Sequence, residues 1–229
     1  MIERLLLALA LSLAAAAPVT AAPLGKTITI GYLQMSNDPR YDERPGPGET
    51  TITPPRPVAG AEMGVSEVNL AAAASGHSFA IEKAEVDDAA GLAPKVDALA
   101  GSGVHWFLVD APDAAMAALA KAERSKDVLL LNISAAGDDL RGAACQKNLA
   151  NVVPSRAMLG DALAQLLVAR KWREVLVLEG PLAEDKAMTA AFEHSAKRFG
   201  LEIAAKRDFL LSNDPREREK DNVALLTGD

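Results

Sequence analysis

From Thr27 to Phe209 the chain alternates short β-branched, apolar runs with longer stretches of helical character, and this alternation restricts the fold more than any other feature. Thr27 to Leu33 alternates β-branched and apolar residues and reads as a first strand, with Phe79–Val86, Val104–Val109 and Val128–Ile133 as the strands that follow. Val104–Val109 is nearly all apolar, which suits a central parallel strand covered on both faces. Helices are predicted between the strands. Val58–Ser75 ends at Gly76, Leu92–Ala100 is stopped by Gly101-Ser102-Gly103, and Pro112–Arg124 carries a proline near its first turn. Strands alternating with helices require right-handed crossovers, so the fold class is α/β with a doubly wound parallel sheet.

The series repeats after a short extended stretch, Asn148–Arg156, which reads as a crossing between two lobes. Beyond it, Ser155 can cap a helix whose Leu159, Leu163, Leu166 and Leu167 fall on one face. Glu174–Glu179 is then a strand, Leu182–Phe199 a helix ended by Gly200, and Leu201–Phe209 another strand. Asp214–Asp221 is highly charged and reads as a short helix or solvated loop, followed by apolar Val223–Leu226. Residues 22–150 are expected to form a first α/β lobe and residues 151–229 the start of a second. About two and a half strands cannot bury both faces of a parallel sheet, so the second lobe is expected to be incomplete and the natural chain to continue past Asp229. Two α/β lobes joined by an extended segment hold a ligand between them, at the carboxyl ends of their strands.

Two segments stand outside this alternation. Arg4, the apolar run Leu5–Ala17 and the small residues of Pro18–Ala21 have the three-part pattern of a secretory signal, with cleavage expected after Ala21, so residues 1–21 are a signal peptide and the mature protein is periplasmic. That run is too short for a membrane anchor, which needs about 20 apolar residues. Gln34–Pro57 carries six prolines among Asp38, Arg40, Asp42, Glu43, Arg44, Glu49 and Arg56, too much proline for a helix. It reads as a long loop, either a functional one or a solvated excursion.

Several functions are excluded or weakened by what the sequence lacks. The net charge of −7 argues against a nucleic-acid partner, whose phosphates need a basic face. No dinucleotide fingerprint, phosphate loop or Gly-x-Ser-x-Gly elbow is present, and the protein reads as a non-enzyme. His77, His105 and His194 have no metal-type spacing, and each reads as a surface or core histidine. No cofactor is expected. Cys145, the lone cysteine, reads as a buried structural residue.

The order of elements, from Ile28-Gly31-Tyr32 through the crossing to Phe199-Gly200-Leu201, resembles the type I periplasmic solute-binding proteins of ABC transporters, the branched-chain amino-acid-binding class. Within that class, Gly48–Pro57, Pro154–Leu159 and Ser195–Leu201 resemble the branch associated with PQQ-dependent alcohol dehydrogenase systems. The resemblance implies a type I periplasmic-binding fold of two lobes and an exported binding component that takes a small solute and passes it to an inner-membrane permease. It further implies a link to PQQ-dependent alcohol oxidation.

In that class the loops after the third and fourth strands of the first lobe hold the ligand. Here they are Asp110–Asp113 and Ser134–Asp139. The ligand-binding residues expected are Tyr32, Gln34, Asp110, Asp113, Ser134, Ala135, Ala136 and Glu179. Asp110 and Asp113 depart from the hydroxyl-bearing pattern of amino-acid binders. Near a helix N-terminus Asp110, Asp113, Asp138 and Asp139 serve as caps, favoured by roughly 0.3–1 kcal/mol, or else form an acidic cleft floor that repels anions and favours an alcohol, polyol or cation. An alternative is a periplasmic metal- or cofactor-binding protein or sensor, using Asp38, Asp42, Glu43 and Glu49 of the proline-rich loop.

Overall fold

The structure is a computed structural model that describes residues 25–46, 50–212 and 214–228. The signal segment 1–21 and Glu49 lie outside the described residues. In chain order the strands are β1 Thr27–Met35, β2 Arg44–Pro45, β3 Thr51–Ile52, β4 Ser78–Val86, β5 Trp106–Asp110, β6 Leu129–Asn132, β7 Leu149–Asn151, β8 Glu174–Glu179 and β9 Glu202–Asp208. The α-helices are α1 Val58–Ala72, α2 Leu92–Gly101, α3 Asp113–Glu123, α4 Arg156–Ala169, α5 Ala183–Phe199, α6 Arg218–Asp221 and α7 Val223–Thr227.

Five strands form one parallel sheet in the order β4-β1-β5-β6-β7. The chain steps outward from β1 to β4, then returns to β5 on the other side, so the winding reverses between β1 and β5. At such a reversal the carboxyl ends of the strands splay and leave a crevice, where ligands of open α/β sheets bind. Gln34 and Asp110 are paired in register at that point. The crossing stretch contributes more than a linker, since Leu149–Asn151 is itself the edge strand, with Asn151 opposite Asn132.

The interior follows the predicted alternation. Leu33, Phe107, Val109 and Leu130 from the sheet meet Leu92, Val96, Met116 and Leu119 from α2 and α3 in one fully buried cluster. Deleting a ring such as Phe107, which is completely buried, costs about 3–5 kcal/mol in comparable cores. On the outer edge, Asn69 of α1 closes the open side of β4. Its side chain donates to Phe79 O at 2.9 Å and accepts from Phe79 N at 2.7 Å, which occupies a strand edge that would otherwise be free to pair with another chain.

A second, smaller cluster of Ala164, Phe192, Ala196 and Leu201 lies where α4 and α5 meet the parallel pair β8–β9. Ser155 caps α4 as expected, accepting from Met158 N at 3.3 Å, and α5 ends at left-handed Gly200. The leucine stripe behaves differently from expectation. The buried residues of α4 are Gly160 and Ala164, while Leu159, Leu163 and Leu166 remain 44%, 43% and 53% exposed. Small residues allow α4 to approach α5 closely, and that contact turns the leucines toward the flank of β8, where Leu163 and Leu167 line a cavity with Val175, Val177, Met188 and Phe192. Cys145 is likewise not buried. It is exposed in the loop between Arg141 and β7, where the chain runs over the surface.

Candidate functional site

The carboxyl ends of β1 and β5 place a tyrosine and an aspartate under the proline-rich loop. Asp110 is completely buried. Isolated there, a carboxylate would cost several kcal/mol, and the loop supplies its partners. Arg40 Nη2 donates to Asp110 Oδ1 at 3.0 Å, Tyr41 Oη donates to the same oxygen at 2.8 Å, and Arg56 Nη1 stands 3.6 Å from Oδ2. The Arg56 guanidinium also lies over the Tyr41 ring, 4.2 Å from its centroid, a favourable cation–π placement. The described residues of Gln34–Pro57 are thus a strap, drawn across the sheet end by two arginines and a tyrosine that converge on one acid.

Asp38 sets the geometry of Arg40. It caps a short 3-10 turn, Pro39–Tyr41, by accepting from Arg40 N at 3.0 Å. Its two oxygens also receive the Arg40 side chain, from Nε at 3.0 Å and from Nη2 at 2.6 Å. Burial alone would raise the Asp38 carboxyl, but the hydrogen bonds and charge of Arg40, with Arg56 beyond it, hold it below its ordinary value. The Tyr32 phenol is pushed up, first by burial and then by the Asp110 charge, and Tyr41 is pushed up by burial and by its hydrogen bond to Asp110. Both phenols stay protonated, and Tyr41 donates to Asp110. Tyr32 Oη, Asp110 Oδ2 and Arg56 Nη1 are buried without a hydrogen-bond partner among the described residues, an arrangement suited to a bridging water.

The loop after β6 is held by Asn132, which is fully buried. Its Oδ1 accepts from Ser134 N at 3.2 Å and Ala135 N at 2.8 Å, and its Nδ2 donates to Ala135 O at 2.7 Å. Ala136 O in turn accepts from Arg156 N at 2.9 Å, which ties this loop to the start of α4. Ser134 Oγ accepts from Arg40 Nη1 at 3.0 Å, so the loop and the strap share one guanidinium.

Asp113, the first residue of α3, does not cap its own helix. Its Oδ1 accepts from Gly137 N at 3.0 Å, and its Oδ2 receives Arg156 Nη1 at 2.6 Å. Asp138 accepts from Ala157 N at 3.0 Å and so serves the start of α4. Asp110 and Asp113 are therefore each matched to an arginine, which removes the basis for the repulsion of carboxylates inferred from these two, while Asp138 takes the capping role.

These elements frame a cleft of about 490 Å³. One wall carries Asp38, Arg40 and Arg44 of the strap with Asp113 and Ser134. The opposite wall is Arg156 with the start of α5, from Leu182 to Ala187. Of the expected ligand-binding residues, Asp113 and Ser134 line the cleft. Asp110 and Tyr32 lie beneath it in the buried network, while Ala135 and Ala136 shape the loop that carries Ser134. Gln34 turns aside to donate to Glu85 on the neighbouring strand. Glu179 lies apart, 3.6 Å from Lys206, at a smaller cavity of about 260 Å³ beside β8 and β9.

Sequence reasoning missed Arg40, Arg44, Arg56 and Arg156 as site residues. Their signal was the dense mixture of charges in a proline-rich segment and the basic residue directly after the Ser155 cap. Among the described residues no group of three or more His, Cys, Asp or Glu is arranged to hold a metal ion, and Asp38 is committed to Arg40.

The order of the sheet, its flanking helices and the cleft at the strand ends define the type I periplasmic binding protein fold. An ABC transporter substrate-binding protein from Desulfitobacterium hafniense superimposes with a TM-score of 0.60 at 16% identity, over 80% of this chain and 51% of its own. A branched-chain amino acid ABC transporter periplasmic ligand-binding protein from Burkholderia xenovorans gives 0.59 at 15% identity, over 81% and 47%. The branched-chain amino acid transporter substrate-binding protein LivJ from Streptococcus pneumoniae, solved with isoleucine, gives 0.56 at 21% identity, over 89% and 55%. The chain thus spans about half the length of these structures. No protein-family model matches the chain, and no curated protein matches it in sequence.

Proposed function

We propose that this chain is the solute-binding component of an ABC transporter, exported by the signal segment 1–21, working in the periplasm and delivering a small molecule to an inner-membrane permease. The observation that carries the reading is the cleft of about 490 Å³ at the reversal of strand order, lined from both sides of the crossing stretch. Its volume falls in the range of small-molecule sites. Its charged walls are fixed in advance by Asp38–Arg40 and Asp113–Arg156, so a ligand meets a preformed surface. The likeness to transporter binding proteins supports the same role through the fold.

In this reading residues 22–150 and 151–229 belong to two lobes that close on the ligand, and the chemistry is capture without turnover. The narrower link to PQQ-dependent alcohol oxidation, with a PQQ-dependent dehydrogenase system as a partner, rests on the three sequence stretches that resemble that branch. Blocking the cleft tests the proposal. Ala187→Trp, at an exposed position on the α5 wall, is expected to abolish the melting shift produced by the solute that co-purifies with the mature protein, leaving the melting temperature of the empty protein unchanged. A shift that survives the tryptophan places binding elsewhere and overturns the reading.

A further inference from the structure

Building on the solute-binding reading of this cleft, we infer that Arg44 is its anion anchor and that the ligand is a small organic acid whose carboxylate docks there. Three guanidinium groups and three carboxylates line the cleft: Arg40, Arg44 and Arg156, against Asp38, Asp113 and Glu184. Arg40 is spent on Asp38 at 2.6 Å, and Arg156 on Asp113 at 2.6 Å. Arg44 makes no ion pair among the described residues. Its one hydrogen bond there runs from Nη2 to the backbone carbonyl of Arg40 at 2.9 Å.

That bond matters for the assignment. It fixes one edge of the guanidinium against the strap while placing no negative charge on it, so the fork is oriented before a ligand arrives. Arg44 is half-buried and sits in β2, held opposite Ile52 of β3, so its backbone is set by a hairpin. A half-buried guanidinium without a counter-ion favours a planar anion that can accept two parallel hydrogen bonds, which is the geometry of a carboxylate. The rest of the lining has an apolar character: Pro39, Pro112 and Ala114 on one side, Leu182, Ala183 and Ala187 on the other. Such walls suit a hydrocarbon body behind the charged group. Of the acids that would oppose an anion, Asp110 and Asp113 are matched to arginines, and Glu184, which makes no ion pair among the described residues, belongs to α5 on the wall opposite Arg44.

The probes are a size-matched set, butyrate, 1-butanol and butylamine, with leucine as a zwitterionic reference, titrated calorimetrically into the full mature protein. Butyrate is expected to bind more tightly than 1-butanol or butylamine. R44Q is expected to weaken butyrate on the order of tenfold to a hundredfold, the loss associated with a charged hydrogen bond, while R44K retains part of the affinity. Melting of R44Q without probe is expected to match the parent, because Arg44 carries no ion pair among the described residues. Equal butyrate affinity in R44Q overturns the anchor, as does failure of every probe to bind. Binding of the alcohol or amine in preference to the acid, blocked by A187W, also overturns it and leaves the solute-binding cleft standing.

Discussion

At the scale of single residues the site is governed by charge matching around Asp110. Removing the charge while keeping the shape, as in Asp110→Asn, leaves Arg40 and Arg56 facing a neutral group in a buried setting. Breaking such a network from one side costs about 3–5 kcal/mol, so chemical denaturation of the variant is expected to show a loss of that order. An unchanged midpoint would mean that the strap is not held by this acid. Asp38 gives a pH signature. Its carboxyl is held below its ordinary value near 3.8, so its contribution is fully present above that pH and is lost as pH falls through the depressed value. Melting followed from pH 6 downward should therefore fall less steeply in Asp38→Asn than in the parent below about pH 4, and parallel curves would contradict the assignment. Asp110, Asp113 and Ser134 could be singled out in the sequence because strand ends and helix starts mark them. Arg40 and Arg56 could not, because they stand 70 and 54 positions before Asp110 by no periodic rule, and only the path of the strap brings them to the acid.

At the scale of elements, period and punctuation predicted nearly every strand and helix, and the corrections came from packing partners. The stripe of leucines in α4 reads as a buried face because hydrophobic residues at helical spacing normally meet a core. In the structure α4 buries Gly160 and Ala164 instead, since the approach of α5 leaves no room for anything larger. A Cβ added at Gly160 would lie 2.8 Å from Ser195 Oγ and 3.2 Å from Ala191 O. Gly160→Leu is accordingly expected to destabilise by about 1–3 kcal/mol through overpacking. Leu166→Lys, on the exposed side of the same helix, is expected to stay within about 0.5 kcal/mol of the parent. Urea melts of the two variants check this, and a larger loss at Leu166 than at Gly160 would reverse the assigned faces. The edge strand Leu149–Asn151 escaped sequence reading for a related reason. It is short, and its pairing depends on Asn132 and the loop that follows β6 and not on any alternation of its own.

At the scale of the whole molecule, the five-stranded sheet and the β8–β9 pair each have a core of their own on either side of the crossing stretch, and the cleft draws its walls from the elements on either side of it. The strap adds a feature that the alternation of strands and helices does not imply: it covers the switch point of the first sheet and brings Arg40 and Arg44 into the cleft. Ligand capture in such an arrangement should order both walls together, because one molecule touches the strap and the start of α5 at once. Hydrogen exchange on the mature protein, with and without the solute that co-purifies with it, measures this most directly. The account predicts that slowed exchange appears jointly in the strap around Arg40–Arg44 and at Ala183–Ala187. Protection confined to one wall, or found only at the smaller cavity beside Glu179, would contradict it.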